Sequence, residues 1–149
     1  MRIYLDNCCF NRPYDSQTEF KVSMETRAKL HIQEMVRKGK LELVGSYMLE
    51  FENEQNIDQM KKTVIRNYQQ TYSDFYVPIE RREILRAKIE EIMAYHISYK
   101  DATHIACAIY AKCDYLLTTD IRFMKRYKGN EIVILNPVEF IQLEEEGKR

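Results

Sequence analysis

Short apolar runs alternate along the chain with longer stretches in which apolar residues recur every three or four positions. Arg2 to Leu5 reads as a strand, and the polar Asn7 to Asp15, with its Arg-Pro and Asp-Ser steps, predicts a loop. From about Thr18 to Lys38, Phe20, Met24, Ala28, Ile32, Met35 and Val36 keep helical spacing, and Gly39 stands where a helix ends. Leu41 to Gly45 predicts a second strand, with Ser46 as N-cap of a helix over Tyr47 to Glu54. A third helix follows within Gln55 to Tyr72, then an extended piece over Phe75 to Pro78. A fourth helix covers Glu80 to Tyr95. Tyr99 to Lys112 is apolar around most of its circumference, as a buried helix requires. Tyr115 to Thr118 and Ile132 to Leu135 predict two more strands, each running into a helix start, at Asp120 and Asn136.

Strands and helices in this alternation predict a three-layer α/β/α sandwich with a mainly parallel central sheet. With 45% hydrophobic residues in 149 positions, one core forms without disulfide or metal staples. Neither a repeat nor a linker divides the chain, so residues 1–149 read as one domain, with 143–149 as a frayed tail. Lys and Arg total 23 against 23 Asp and Glu, so any nucleic-acid surface must be local rather than a property of the whole molecule. No stretch approaches the ~20 apolar residues of a membrane span and no secretory signal opens the chain, which predicts a cytoplasmic protein. Cys8, Cys9, Cys107 and Cys113 make no zinc quartet with His31, His96 and His104 and read as reduced thiols.

In an open parallel sheet, functional groups gather beyond the carboxyl ends of the strands. Asp6 ends the first strand, Glu50 lies near the start of the helix after the second, Asp101 opens the buried helix, and Asp120 follows the fourth strand. Any one of them alone is accounted for as a cap or a carboxylate near a helix N-terminus. Four at one sheet edge repel one another unless a cation neutralises them. Oxygen donors of this kind favour Mg²⁺ or Mn²⁺, ions that activate water for phosphodiester hydrolysis without a Ser or Cys nucleophile.

At these residues the chain resembles the PIN-domain family, metal-dependent ribonucleases that include the VapC toxins of toxin–antitoxin pairs. The resemblance rests on Ile3-Tyr4-Leu5-Asp6-Asn7, Ser46-Tyr47-Met48-Leu49-Glu50-Phe51, Lys100-Asp101-Ala102-Thr103-His104-Ile105-Ala106-Cys107-Ala108, and Tyr115-Leu116-Leu117-Thr118-Thr119-Asp120. It implies an acidic pocket of Asp6, Glu50, Asp101 and Asp120 holding one or two Mg²⁺ or Mn²⁺ ions, with Asn7 and Thr118 orienting the carboxylates. Helical phase decides whether Glu50, Glu52 or Glu54 faces that pocket. The implied reaction is hydrolysis of RNA to a 5′-phosphate and a 3′-hydroxyl, and the implied partners are RNA, an antitoxin peptide or protein and a second copy in a homodimer. Asn7, where Thr or Ser is frequent, and the loop Cys8 to Asp15 depart from the commonest toxin pattern.

Arg12, beside Asp6, His104, one turn after Asp101, and Arg122, beside Asp120, are candidate substrate contacts. For His104 the competing reading is a packed, hydrogen-bonded core residue. A haloacid-dehalogenase-like phosphatase would need an Asp where Cys8 stands, and no Gly-rich phosphate loop is present. The alternative from another class is a non-catalytic RNA-binding or scaffold protein with the same fold.

Overall fold

A computed structural model describes residues 1–11 and 19–147. The strands are β1 (Arg2–Leu5), β2 (Glu42–Ser46), β3 (Ser73–Val77), β4 (Tyr115–Leu117) and β5 (Val133–Leu135). The helices are α1 (Asn7–Asn11), α2 (Phe20–Arg37), α3 (Tyr47–Glu54), α4 (Gln59–Tyr72), α5 (Arg82–Met93), α6 (Tyr99–Tyr110), α7 (Ile121–Arg126) and α8 (Pro137–Gly147). All pairings are parallel, in the order β3-β2-β1-β4-β5. The result is the three-layer α/β/α sandwich, because parallel neighbours need crossover helices and those helices cover both faces.

Alternation along each strand sorts side chains between two cores. Tyr4, Val44 and Leu116 face one side with Leu85, Ile89, Ile92 and the apolar face of α6. Ile3, Leu5, Leu43 and Leu117 face the other with Ile32, Met35, Ile65 and Phe140. Both faces are apolar, which is why the strands read as continuous hydrophobic runs. The register sets Leu5 beside Leu117 and Tyr4 beside both Val44 and Leu116.

Ser46 caps α3 by accepting the Leu49 N–H, and Gly39, at φ +76°, closes α2 in the left-handed conformation that favours glycine. Two segments differ from expectation. Asn7–Asn11 forms a short helix rather than the start of a loop: the Cys9 N–H reaches the Asp6 carbonyl at 2.9 Å, and Cys9 and Phe10 are sunk in the core. Five residues are too few to display a helical period in sequence. At the other end, α8 runs on to Gly147, through residues expected to fray. Among the described residues, no helix is long and apolar enough to cross a membrane.

The order of the strands locates the site. From β1 the chain steps outward through β2 to β3, then returns to the far side of β1 for β4 and β5. The switch point therefore lies at the carboxyl ends of β1 and β4, where a crevice opens.

Burial also sets the response of the fold to alkali. Cys107 and Cys113 are pushed by burial from an ordinary 9.0 to about 12, and burial raises the Cys9 thiol strongly too. A raised thiol pKa stabilises the folded state fully below pH 9 and progressively less as pH climbs toward 12, because the unfolded chain loses those protons first. Lys29, brought down to about 8 by burial, acts in the opposite sense, one group against three. The urea midpoint is therefore expected to fall between pH 9 and pH 10.5. A midpoint constant or rising across that interval would contradict this balance.

Candidate metal centre at the carboxyl edge

Asp6 is held from several sides. Its backbone N–H donates to the Leu117 carbonyl at 3.0 Å, fastening the end of β1 to β4. Its Oδ1 accepts the Asn7 N–H at 2.8 Å, and its Oδ2 accepts the Thr118 hydroxyl at 3.0 Å and the Cys8 thiol at 3.4 Å. Thr118 Oγ1 in turn accepts the Asp120 N–H at 3.1 Å, so one fully buried hydroxyl links two of the acidic residues. Asn7 donates through Nδ2 to the Leu49 carbonyl at 3.1 Å and accepts from Gln69 Nε2 at 3.2 Å, tying α1 to α3 and α4.

His104, on α6, has no exposed surface and is engaged on both ring nitrogens. Nε2 is hydrogen-bonded to Glu52 Oε1 and lies 3.8 Å from Asp6 Oδ1. Nδ1 is 2.5 Å from the Tyr4 hydroxyl, itself 2.7 Å from Ser46 Oγ. With a neutral ring, one direction satisfies the row: Ser46 donates to Tyr4, Tyr4 to Nδ1, and Nε2–H to Glu52. Burial pulls the His104 pKa down, but the Glu52 hydrogen bond and the charges of Asp6, Glu52 and Asp101 hold it above the ordinary value. Burial likewise penalises the Glu52 carboxylate, and His104, Lys100 and Asn7 bring it below the usual range.

Asp101 and Asp120 flank this cluster. Asp101 stands in the first turn of α6, its N–H donated to the Ser98 hydroxyl at 3.3 Å. Its pKa is raised by burial first and by the charges of Asp6 and Asp120, partly offset by Ser98 and His104. Asp120 caps α7, Oδ1 accepting from the Arg122 N–H at 3.0 Å and the Phe123 N–H at 3.3 Å. Asp101, Asp120, Arg122 and Arg126 line one cleft of about 180 Å³.

Ligand atoms of Asp6, Glu52 and His104 lie within 4.8 Å of one another, the group of metal-ligating type found among the described residues. This corrects the expectation for Glu50. Successive helix residues turn by about 100°, so Glu50 and Glu52 point about 200° apart. Met48, Leu49 and Asn53 mark the buried face of α3, and Glu52 shares it. Glu50 is exposed, accepts a hydrogen bond from Tyr76, and lines a separate cavity with Arg66 and Gln69. For His104 the structure shows the packed, hydrogen-bonded arrangement rather than an open substrate contact. Arg12 lies outside the described residues. Arg122 is 82% exposed, with Nε 4.0 Å from Asp120 Oδ1.

The donor set fits a hard divalent cation. Asp6 and Glu52 supply convergent oxygens, and the Asp101 pKa is raised first by burial and then by the charges of Asp6 and Asp120, a repulsion that a cation would relieve.

The all-parallel sandwich, with Asp6, Glu52 and His104 gathered beyond the carboxyl end of its central strand β1, has a PIN-like fold. The chain is similar to the structure of FitAcB from Neisseria gonorrhoeae, at 16% identity and TM-score 0.55, over 91% of this chain and 97% of that one. It is similar also to the structure of FitAB bound to an IR36 DNA fragment, at 19% identity and TM-score 0.56, over 91% and 95% respectively. No protein-family model and no curated protein matches the sequence.

Proposed function

We propose that the chain is a Mg²⁺- or Mn²⁺-dependent endoribonuclease that hydrolyses RNA phosphodiester bonds, and the toxin of a toxin–antitoxin pair. The convergence of Asp6, Glu52 and His104 at the switch point, with Asp101 and Asp120 alongside, carries the reading. The FitAB likeness supports an antitoxin peptide or protein as partner, and FitAB is seen with DNA in one of the two structures. A cytoplasmic setting and a homodimer belong to the same reading.

Asp6, Glu52 and Asp101 would hold the ion, with Asp120 completing the acidic surround. When bound, the ion supplies the charge that activates water and stabilises the leaving oxygen. The chain supplies orientation. Asn7 and Thr118 fix the two Asp6 oxygens, and His104 and Asn7 orient the Glu52 carboxylate. Arg122 and Arg126, which line the same cleft as Asp101, would attract phosphate of the incoming strand.

Purified protein is expected to cut single-stranded RNA with Mn²⁺ or Mg²⁺, to stop with EDTA, and to leave 5′-phosphate and 3′-hydroxyl ends. Folded protein that cuts no RNA with either ion, or cuts equally in EDTA, would overturn the proposal.

A further inference from the structure

Glu50, turned away from the acidic cluster, belongs to a second cavity of about 250 Å³ between α4, the start of α3, and the edge of the sheet at β2 and β3. It is smaller than the ~300–1,000 Å³ that drug-sized ligands occupy, a size suited to a single heterocycle. Gly45 makes the room: a Cβ there would lie 2.8 Å from Ser73 Oγ and 3.4 Å from the Tyr76 ring.

A mostly apolar wall carries a few specific polar groups. A carboxylate, Glu50, and a guanidinium, Arg66, share it with the amides of Gln69 and Gln70 and the ring of Tyr76. Two of its polar atoms, Arg66 Nε and Ser73 Oγ, are buried without a hydrogen-bond partner. Arg66 Nε approaches the Glu54 carboxylate no closer than 3.7 Å. Buried polar groups are ordinarily paired, so unpaired ones in a cavity wall mark hydrogen bonds that a ligand completes. The wall is also continuous with the metal centre. Gln69 donates to Asn7, whose N–H holds Asp6, and Ser46 contacts Tyr4, which holds His104.

We propose that this cavity is a subsite for one guanine base of the RNA, next to the phosphate being cleaved. Single-stranded RNA is recognised by splaying bases out, stacking them on aromatic or guanidinium planes, and bonding their edges. Guanine offers two neighbouring N–H donors on its Watson–Crick edge for a carboxylate, and O6 and N7 acceptors for an arginine. Glu50 and Arg66 are that complementary pair, and Tyr76 supplies a ring at the mouth. Uracil and cytosine lack the N7/O6 edge, and adenine presents Glu50 with an acceptor where guanine has N1–H. The subsite deepens the nuclease reading and rests on it for the neighbouring phosphate.

The test separates the two. GMP, AMP, CMP, UMP and inorganic phosphate are titrated, by chemical-shift perturbation, into wild type, Arg66→Ala, Glu50→Gln and Asp6→Asn, each checked for folding by circular dichroism. GMP is expected to bind roughly tenfold more tightly than UMP. That preference is lost in Arg66→Ala and Glu50→Gln and kept in Asp6→Asn. Equal affinity for all four nucleotides, phosphate binding as tight as GMP binding, or a guanine preference untouched by both pocket variants would overturn the subsite. Guanine preference in a protein that cuts no RNA leaves the subsite standing and removes the nuclease reading. Metal-dependent cutting with no guanine beside the cleaved bond does the reverse.

Discussion

Asp6→Asn and Glu52→Gln are each expected to abolish Mn²⁺ binding in a calorimetric titration, whereas Glu50→Gln keeps it. Loss of an outer partner of a metal ligand typically costs about 10–100-fold in affinity, and removal of a ligand charge costs more than that. Asp6 is the more severe case, because its two oxygens are already oriented by Asn7, Cys8 and Thr118, and an amide puts an NH₂ against donors. The same two variants are expected to lose RNA cleavage in parallel with the metal. The contrast between Glu52 and Glu50 tests the phase of α3 directly. Mn²⁺ affinity lost with Glu50→Gln and kept with Glu52→Gln would reverse the assignment of the two residues. Full affinity in Asp6→Asn would remove the site from the end of β1.

Much of this was legible in the residues themselves. Ser46 before Tyr47 announces a cap, and the cap is made; the apolar circumference of Tyr99 to Lys112 announces a buried helix, and α6 is buried. Asp6 and Asp120 are singled out by the rule that strand ends carry function, and Asp101 by its place at the start of a buried helix. The choice among Glu50, Glu52 and Glu54 was open only until α3 is read as a helix with an inner face. Met48 and Leu49 define that face, and a residue three or four positions on, Glu52, falls on it. The Phe10 anchor of α1 was hidden because the Asn-Arg-Pro sequence just beyond it signals a break in regular structure.

The guanine-sized cavity has a different status. Gly45, Glu50, Arg66, Ser73 and Tyr76 come from four elements, and nothing in their spacing brings them together. A register shift between β2 and β3, at Leu43 and Val44, sets Gly45 opposite Tyr76 while Ser73 remains near it. Such an irregularity has no periodic signature, so the feature that shapes a candidate substrate contact is the one that pattern reading misses. The candidate metal group is the converse: topology brings the end of β1, α3 and α6 together, and helical phase alone selects Glu52 and His104 on the two helices.

Replacing His104 is expected to have the second large effect, and to show how the chain tolerates its acidic cluster. His104→Phe keeps a ring on α6 but removes both hydrogen bonds, taking from the Glu52 oxygen its imidazole partner and leaving the Tyr4 hydroxyl with Ser46 alone. Losing a hydrogen bond to a charged, partly buried acceptor costs about 2 kcal/mol, with Lys100 and Asn7 still near the Glu52 carboxylate. A substantial drop in the urea midpoint is therefore expected in EDTA. A bound divalent cation would compensate the same carboxylates, and it stabilises the folded state by RT ln(1 + [L]/Kd). Adding Mn²⁺ at saturating concentration is thus expected to restore part of the loss in His104→Phe and to give no rescue in the double variant with Asp6→Asn. A His104→Phe protein as stable as wild type in EDTA would show that the ring does not hold Glu52. Equal Mn²⁺ rescue with and without Asp6 would show that the ion acts elsewhere. The expected pattern instead makes His104 a positioning residue for Glu52, whose loss a divalent cation held by Asp6 and Glu52 would partly offset.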